Sequence, residues 1–474
     1  MSRLLVVVVT LQVWNLFLPL GLGWVLPPSA APAEDRDAVA GSNPVRTHLA
    51  FPGAVGAGKF SIGGSGRQSV ALYGMTSVFK VNNLKDNGAG SLRRCTDAVG
   101  SRVCVFEVSG EIRLKKALVI RNPYVTIAGY TAPNPGVTLR GAGIAIEASD
   151  VVVQHLTVRV GDDPNGPDPR SLDGLRIGSE KDSVQHVIVD HLSVSWAIDE
   201  NFSTIGDVQK TTVSSSIFAE GLNESIHPKG KHSKGLLVNG STKEISLIGN
   251  LVAHNGERNP LIQAGARVQF LNNVVYGWGD PSRFSLCNIS DSSDTGAGIT
   301  LDFAGNNYLP SPASHLYASI YGKPVPLSTR IYVGDNLGPK RDTNAGPRWQ
   351  VVNLPKKPFR LKQANFTDTD AIALNPEDGR EGVLSSAGAH PAYRDAVDTR
   401  VIHEVKSRTG QLKDCVESCP HSAGGWPKVE EKKRSLVPPI NVSSDPDGDG
   451  YTVLDDWLFG YLEKANTVPP ESDA

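Results

Sequence analysis

Hydrophobic positions divide the chain into three zones. From Leu4 to Leu26 an apolar run is broken by polar residues only at Thr10, Gln12 and Asn15. Arg3 precedes it, and the segment Pro27 to Ala33 that follows ends in an Ala-x-Ala pattern suited to signal peptidase. This predicts an export signal over residues 1–33 and a polar leader over 34–47. The run is also long enough for a retained anchor, but export with cleavage near Ala33 is the reading adopted. No second apolar stretch of spanning length follows.

In the middle zone, short runs of alternating β-branched residues recur. They begin at Val125, Val151, Val187, Thr212, Ile245, Val268 and Ile331. From Val125 to Val268 the steps are 26, 36, 25, 33 and 23 residues, a coil of about two dozen with insertions. Alternation with period two argues strands. A fixed step argues a solenoid, in which each coil buries its inner face only by stacking on the next. Asn250, Asn273 and Asn336 hold the same place in their runs, which suits a stacked hydrogen-bonded ladder at a turn. The predicted class is therefore all-β, a parallel β-helix, rather than a sandwich with unevenly spaced strands. It is expected over 48–340, with a loop-rich extension packed on it over 341–440 and a separate C-terminal segment over 441–474.

Composition narrows the partners. The 474 residues carry 47 basic and 49 acidic side chains, a formal charge of −2. No global basic field exists to hold nucleic acid or an anionic membrane. With 48 glycines and two methionines, a helical bundle is disfavoured. Nothing in the pattern signals an oligomer, so a monomer is expected. Five cysteines allow at most two internal bridges, with Cys95–Cys104 and Cys415–Cys419 as the local options. Sequons stand at Asn201, Asn223, Asn239, Asn288, Asn365 and Asn441.

Candidate chemistry lies on neighbouring coils. Asp173 sits in one coil, and Asp199 with Glu200 in the next. Strands stacked about 4.8 Å apart bring such carboxylates together as an oxygen site suited to calcium. Asp190, in an apolar strand beside His191, reads instead as a structural hydrogen-bonding residue. Later coils carry cations: Lys229, His232 and Lys234 in the run from His227 to Gly235, then Arg258 and Arg267. Calcium on one side of a groove and cations on the other suit an acidic polymer. The run Gly53 to Phe60 nearly matches a phosphate-binding loop, but Phe60 stands where magnesium needs a hydroxyl, so it reads as a glycine-rich lead-in. Near the C-terminus, Asp445, Asp447, Asp449 and Asp456 fall at positions 1, 3, 5 and 12 of an EF-hand-like loop, with Gly450 at position 6. A short amphipathic helix is expected after it.

Several segments in order resemble the pectate lyases of polysaccharide lyase family 1. They are Ala50-Phe-Pro-Gly, the run Val81 to Arg93, Phe106 to Gly110, Thr126 to Pro133, Asp190-His191, Ser195-Trp196, Asp199-Glu200, and Arg258-Asn-Pro followed by Asn272-Asn273. The resemblance spans about residues 50–310. It implies a right-handed, single-stranded parallel β-helix and secreted, calcium-dependent β-elimination of polygalacturonate, an acidic plant polysaccharide. By position it makes Arg258 the base, and Asp173, Asp199 and Glu200 the ligands of a catalytic calcium. Lys229, His232, Lys234 and Arg267 would contact substrate. The sequence departs from the family where a second arginine follows the base: Leu261 and Gln263 stand there. Three alternatives remain open. One is a hydrolytic polygalacturonase, whose paired-carboxylate signatures are missing; the others are a non-catalytic polysaccharide-binding β-helix and a lyase acting on another uronate polymer.

Overall fold

The computed structural model describes residues 46–67, 75–279, 287–290, 297–314, 316, 318–322, 325–354, 359–417, 419 and 422–467. The expected export signal and nearly all of the leader fall outside them. The strands, helices and candidate site residues all belong to one unit, Thr47–Ala474.

Among the described residues, 24 strands pair into one continuous sheet, and every strand-to-strand pairing is parallel. Register sorts them into three ladders wound as a solenoid. In the first, Val125 faces Val151, which faces Val187, and the column continues through Thr211, Ile245, Val268, Leu301 and Ile331. Every run read from the sequence lies in this ladder. One coil escaped that reading, Thr300–Ala304, because Thr300 is its only β-branched residue. Two further coils precede the first run, at Ser77–Val81 and Arg102–Phe106. Pairing also continues beyond residue 340, through Val352–Asn353 and Phe359–Arg360.

Inward residues of the first ladder, such as Val187, Val213, Leu247, Phe270 and Phe303, fill a single apolar core. The outward column Thr126, Val152, Ile188, Thr212, Ser246, Gln269 and Asp302 is buried as well. Its cover is the glycine-rich segment near the N-terminus. Gly58 N–H donates to Thr212 Oγ1 (2.8 Å), Ala57 N–H to Ser246 Oγ (3.0 Å) and Gly64 N–H to Thr126 Oγ1 (2.9 Å). A Cβ at Gly58 would lie 2.2 Å from the Val187 carbonyl, and one at Gly64 1.7 Å from that of Arg102. The glycines are there to let backbone lie on backbone, and Lys59, the would-be phosphate ligand, pairs with Asp370 (2.6 Å).

Six successive coils turn from the first ladder to the second through one left-handed residue: His155, His191, Ser215, Gly249, Asn272 and Gly305 occupy this corner in order. Glycine and asparagine tolerate that conformation best. Directly after it runs the predicted asparagine ladder. Asn250 Nδ2 donates to Asn273 Oδ1 (3.1 Å), Asn273 to Asn306 (3.1 Å) and Asn306 to Asn336 (2.9 Å). Asn306, on the missed coil, is the member the sequence reading lacked.

Helices are few: α1 (Leu92–Thr96), α2 (Pro376–Ser386), α3 (Ala396–Ser407) and α4 (Val453–Thr467). α4 buries Leu454, Leu458 and Leu462 against Phe51, Tyr130 and Ile188. At the start of α3, its N-cap Asp395 and first-turn Asp398 clamp the fully buried Arg159 of the solenoid at 2.9 and 2.7 Å. Cys95 is bonded to Cys104 and Cys415 to Cys419, and Cys287 is free and buried. No described helix is long and apolar enough to cross a membrane.

Candidate active site

The third ladder carries the chemistry. Leu175 faces Phe202, and Glu200 faces Lys234, which bridges to Glu257. The residues entering these strands therefore meet in space. Carboxylate oxygens of Asp173, Asp199 and Glu200 converge within 4.8 Å of one another. They line a cleft of about 380 Å³ together with Lys116, Arg170, Arg176 and Ser203. Arg258 arrives from the coil beyond with φ of 63° and makes an ion pair with Glu200.

Like charges held this close in a part-buried cleft repel. Burial pushes the Asp173 carboxyl up to about 6, aided by the Asp199 charge and opposed by a hydrogen bond from Ser203 Oγ (2.5 Å). Burial works on Asp199 in the same direction. The hydrogen bond and charge of His232, with Arg258 nearby, nevertheless hold it net below its ordinary value. Burial lowers the Arg258 guanidinium against the opposing fields of Asp199 and Asp173. Its contact with Glu200 favours the cation, so in the paired state it is no base.

The other expected residues divide. Lys229 is exposed on the 220–233 connection. Lys234 reaches the site but is buried and tied to Glu257 rather than free for substrate. His232 also reaches the site, with Nε2 against Asp199 Oδ1 (2.8 Å) instead of facing the cleft as a substrate contact. Arg267 is not brought there: it opens a first-ladder strand, Arg267–Leu271, over the Phe366 ring. Asp190 is structural, accepting from Ser214 Oγ (2.8 Å) and Gln154 Nε2 (3.3 Å) and pairing with His191 (2.7 Å). Ser203 and Glu257 were not legible as site residues, because nothing in their local sequence marks the register that delivers them.

Among the sequons, Asn201 is closed to a glycan: its side chain is fully buried and donates to Ala219 O and Asn255 Oδ1. The amides of Asn223 and Asn365 are held by Asp414 and Asp302. Asn239 is part-buried, with its Oδ1 accepting from Ser241 N–H, and Asn441 is exposed. The Asn288 side chain lies outside the description. Asp445, Asp447 and Asp449 also converge within 4.8 Å, on the surface. Asp456 stands apart from that trio at the start of α4, close enough that the trio's charges help burial to raise its carboxyl.

No protein-family model matches the chain. Probable pectate lyase C of Aspergillus flavus is 31% identical over 445 residues, covering 90% of this chain and 95% of the relative. The protein of the same name from Neosartorya fischeri is 30% identical over 450 residues, covering 91% and 96%. Among solved structures, jun a 1, the major allergen from cedar pollen, matches at 17% identity and a TM-score of 0.45, over 71% of this chain and 92% of its own. A pectate lyase structure described for its anti β-elimination mechanism matches at 12% identity and a TM-score of 0.49, over 73% and 98%. On the strength of the full-length sequence relatives, this chain belongs to the pectate lyases of polysaccharide lyase family 1.

Proposed function

We propose that the protein is a secreted enzyme cleaving polygalacturonate by calcium-dependent β-elimination, releasing 4,5-unsaturated oligogalacturonates. The observation that carries this is the convergence of Asp173, Asp199 and Glu200 within 4.8 Å, beside a part-buried arginine. An all-oxygen, carboxylate-rich donor set fits calcium. Bound calcium supplies Lewis-acid neutralisation of a substrate carboxylate, which acidifies the neighbouring C5–H.

The chain's own residues do the rest. Asp173, Asp199 and Glu200 hold the ion. Arg258, once its pair with Glu200 opens, takes the C5 proton as the C4–O4 bond breaks. Arginine is a poor base, with a pKa above about 12, so the rate climbs with pH as burial and added positive charge favour its neutral form. Lys229, exposed on the loop, is placed to meet uronate carboxylates. The C-terminal Asp445, Asp447, Asp449 and Asp456 hold a second, structural calcium, and Asn441 is the sequon best exposed for a glycan.

The test is ultraviolet absorbance of the unsaturated uronate, followed with purified protein on polygalacturonate at alkaline pH. Calcium and chelator arms run in parallel. Loss of a general base costs roughly 10²–10⁴-fold, so Arg258→Lys should fall by that order with the fold intact. A saturated product, or full activity in the variant, rejects the proposal.

A further inference from the structure

The run His227 to Gly235 carries two imidazoles that the elimination chemistry does not use. His232 is nearly buried, and its Nε2–H donates to Asp199 Oδ1, since a carboxylate can only accept. Its ring lies flat on that of His227, with centroids 3.7 Å apart and planes 13° apart. His227 is itself buried, and its Nδ1 accepts the Lys229 backbone N–H at 3.2 Å, which puts the His227 proton on Nε2. The backbone beneath is held too: His232 N–H donates to Asn223 O (2.9 Å) and Ser233 N–H to Leu222 O (2.8 Å). Asn223 is anchored in turn to the C-terminal extension, by its N–H to Lys413 O (2.8 Å) and its Nδ2 to Asp414 Oδ1 (3.1 Å).

We infer that His232 is a positioning residue for Asp199, with His227 as its flat support. The pair fixes Asp199 by occupying Oδ1, which leaves Oδ2 for the cation. This inference rests on the calcium reading above. A carboxylate hinged in a turn between two strands otherwise samples several rotamers, and ordering it at the moment of binding weakens the site. A hydrogen-bonding partner behind a metal ligand removes that disorder, and its loss typically costs about 10–100-fold in affinity. His232 thus serves the cation rather than the sugar, and the extension holding Asn223 contributes to the site from a distance.

The experiment measures calcium affinity by titration calorimetry without substrate, on full-length protein carrying Asp445→Asn and Asp447→Asn to silence the tail loop. In this background Asp173→Asn identifies the cleft site by abolishing its heat. His232→Ala should weaken calcium by about 10-fold or more, and His232→Gln, which keeps an N–H donor, should recover much of it. His227→Ala should give a smaller loss that His227→Phe, keeping a flat ring, restores. In turnover, His232→Ala should raise the calcium needed for half-maximal rate while kcat at saturating calcium changes little. Unchanged calcium affinity in His232→Ala, or equal loss in Ala and Gln variants, overturns the inference and leaves the calcium reading standing. Absence of any heat that Asp173→Asn removes overturns the calcium reading itself, and the inference with it.

Discussion

Replacing His390 should flatten the acid limb of the protein's stability curve. This imidazole lies where the segment before α3 meets the solenoid. It lines a cavity of about 160 Å³ with Tyr393, Arg394 and Asp395, and neither ring nitrogen has a hydrogen-bond partner among the described residues. Its neighbours include His155 at 6.1 Å, stacked in turn on His191 at 4.8 Å, and Tyr393 at 4.9 Å. Burial lowers His390 to about 4, with the His191 charge adding to this and Asp395 opposing it. His155, fully buried, is pushed well below its ordinary value.

Between about pH 6.5 and 4 the unfolded chain therefore binds a proton at His390 that the native state refuses. Stability from this residue is fully present above 6.5 and drains away as pH falls toward 4. The displacement is about 2.5 pH units, or on the order of 3 kcal/mol at 1.36 kcal/mol per unit. Asp173, raised to about 6, works the other way over part of the same window. The clean quantity is consequently a difference. Urea unfolding of wild type and His390→Phe at pH 7.5, 6, 5 and 4.5 should show a gap that shifts in favour of the variant as pH falls, by roughly 3 kcal/mol at most. His390→Gln, which accommodates the site without a titrating ring, should shift the same way. Parallel pH profiles for all three proteins would refute the reasoning.

Other outcomes are expected from features of the solenoid. Asn273→Ala leaves Asn250 N–H and Leu247 O without their partner deep in the stack, and should cost about 2–4 kcal/mol in urea unfolding, several times a surface asparagine. Gly64→Ala drives a Cβ into the Arg102 carbonyl. It should lift the N-terminal cover, read as faster amide exchange at Thr126 and Thr212 and a loss of about 1–3 kcal/mol. Arg159→Met strands Asp395 and Asp398 without their counter-ion and should destabilise by about 3–5 kcal/mol, seen as early thermal release of α3 to proteolysis.

The fold was legible because a solenoid repeats its own evidence. Of seven first-ladder runs, each weak alone, six agreed in step and three in the place of an asparagine. The coil at Thr300–Ala304 was hidden because no β-branched residue follows Thr300; its outward Asp302 accepts the N–H groups of Asn365 (2.8 Å) and Phe366 (2.9 Å) from a covering segment far along the chain. A strand whose inward residues are leucine and phenylalanine lacks the β-branched signature by which the other runs were found. The same limit applies to the site. Arg258 and the three carboxylates could be named from their places on neighbouring coils, and resemblance gave them their expected roles. The turn of His232 toward Asp199, the capture of Lys234 by Glu257 and the burial of Asn201 depend on register between coils, which local sequence does not encode.

The one-residue corner between the first and second ladders has a consequence for how such a molecule can change. At that corner six successive coils pass through a single left-handed residue, three of them followed at once by an asparagine whose side chain donates to the next coil. An added residue there would throw both ladders out of register, so that edge is a fixed spine. The connections that lead into the third ladder differ in length from coil to coil, as 160–174, 196–199, 220–233 and 254–260 do, and they are the ones bearing Asp173, Asp199, His232 and Arg258. Chemistry is thus written on the edge where length is negotiable. New substrate preferences can arise by lengthening one loop at a time while the spine keeps the rest of the protein folded.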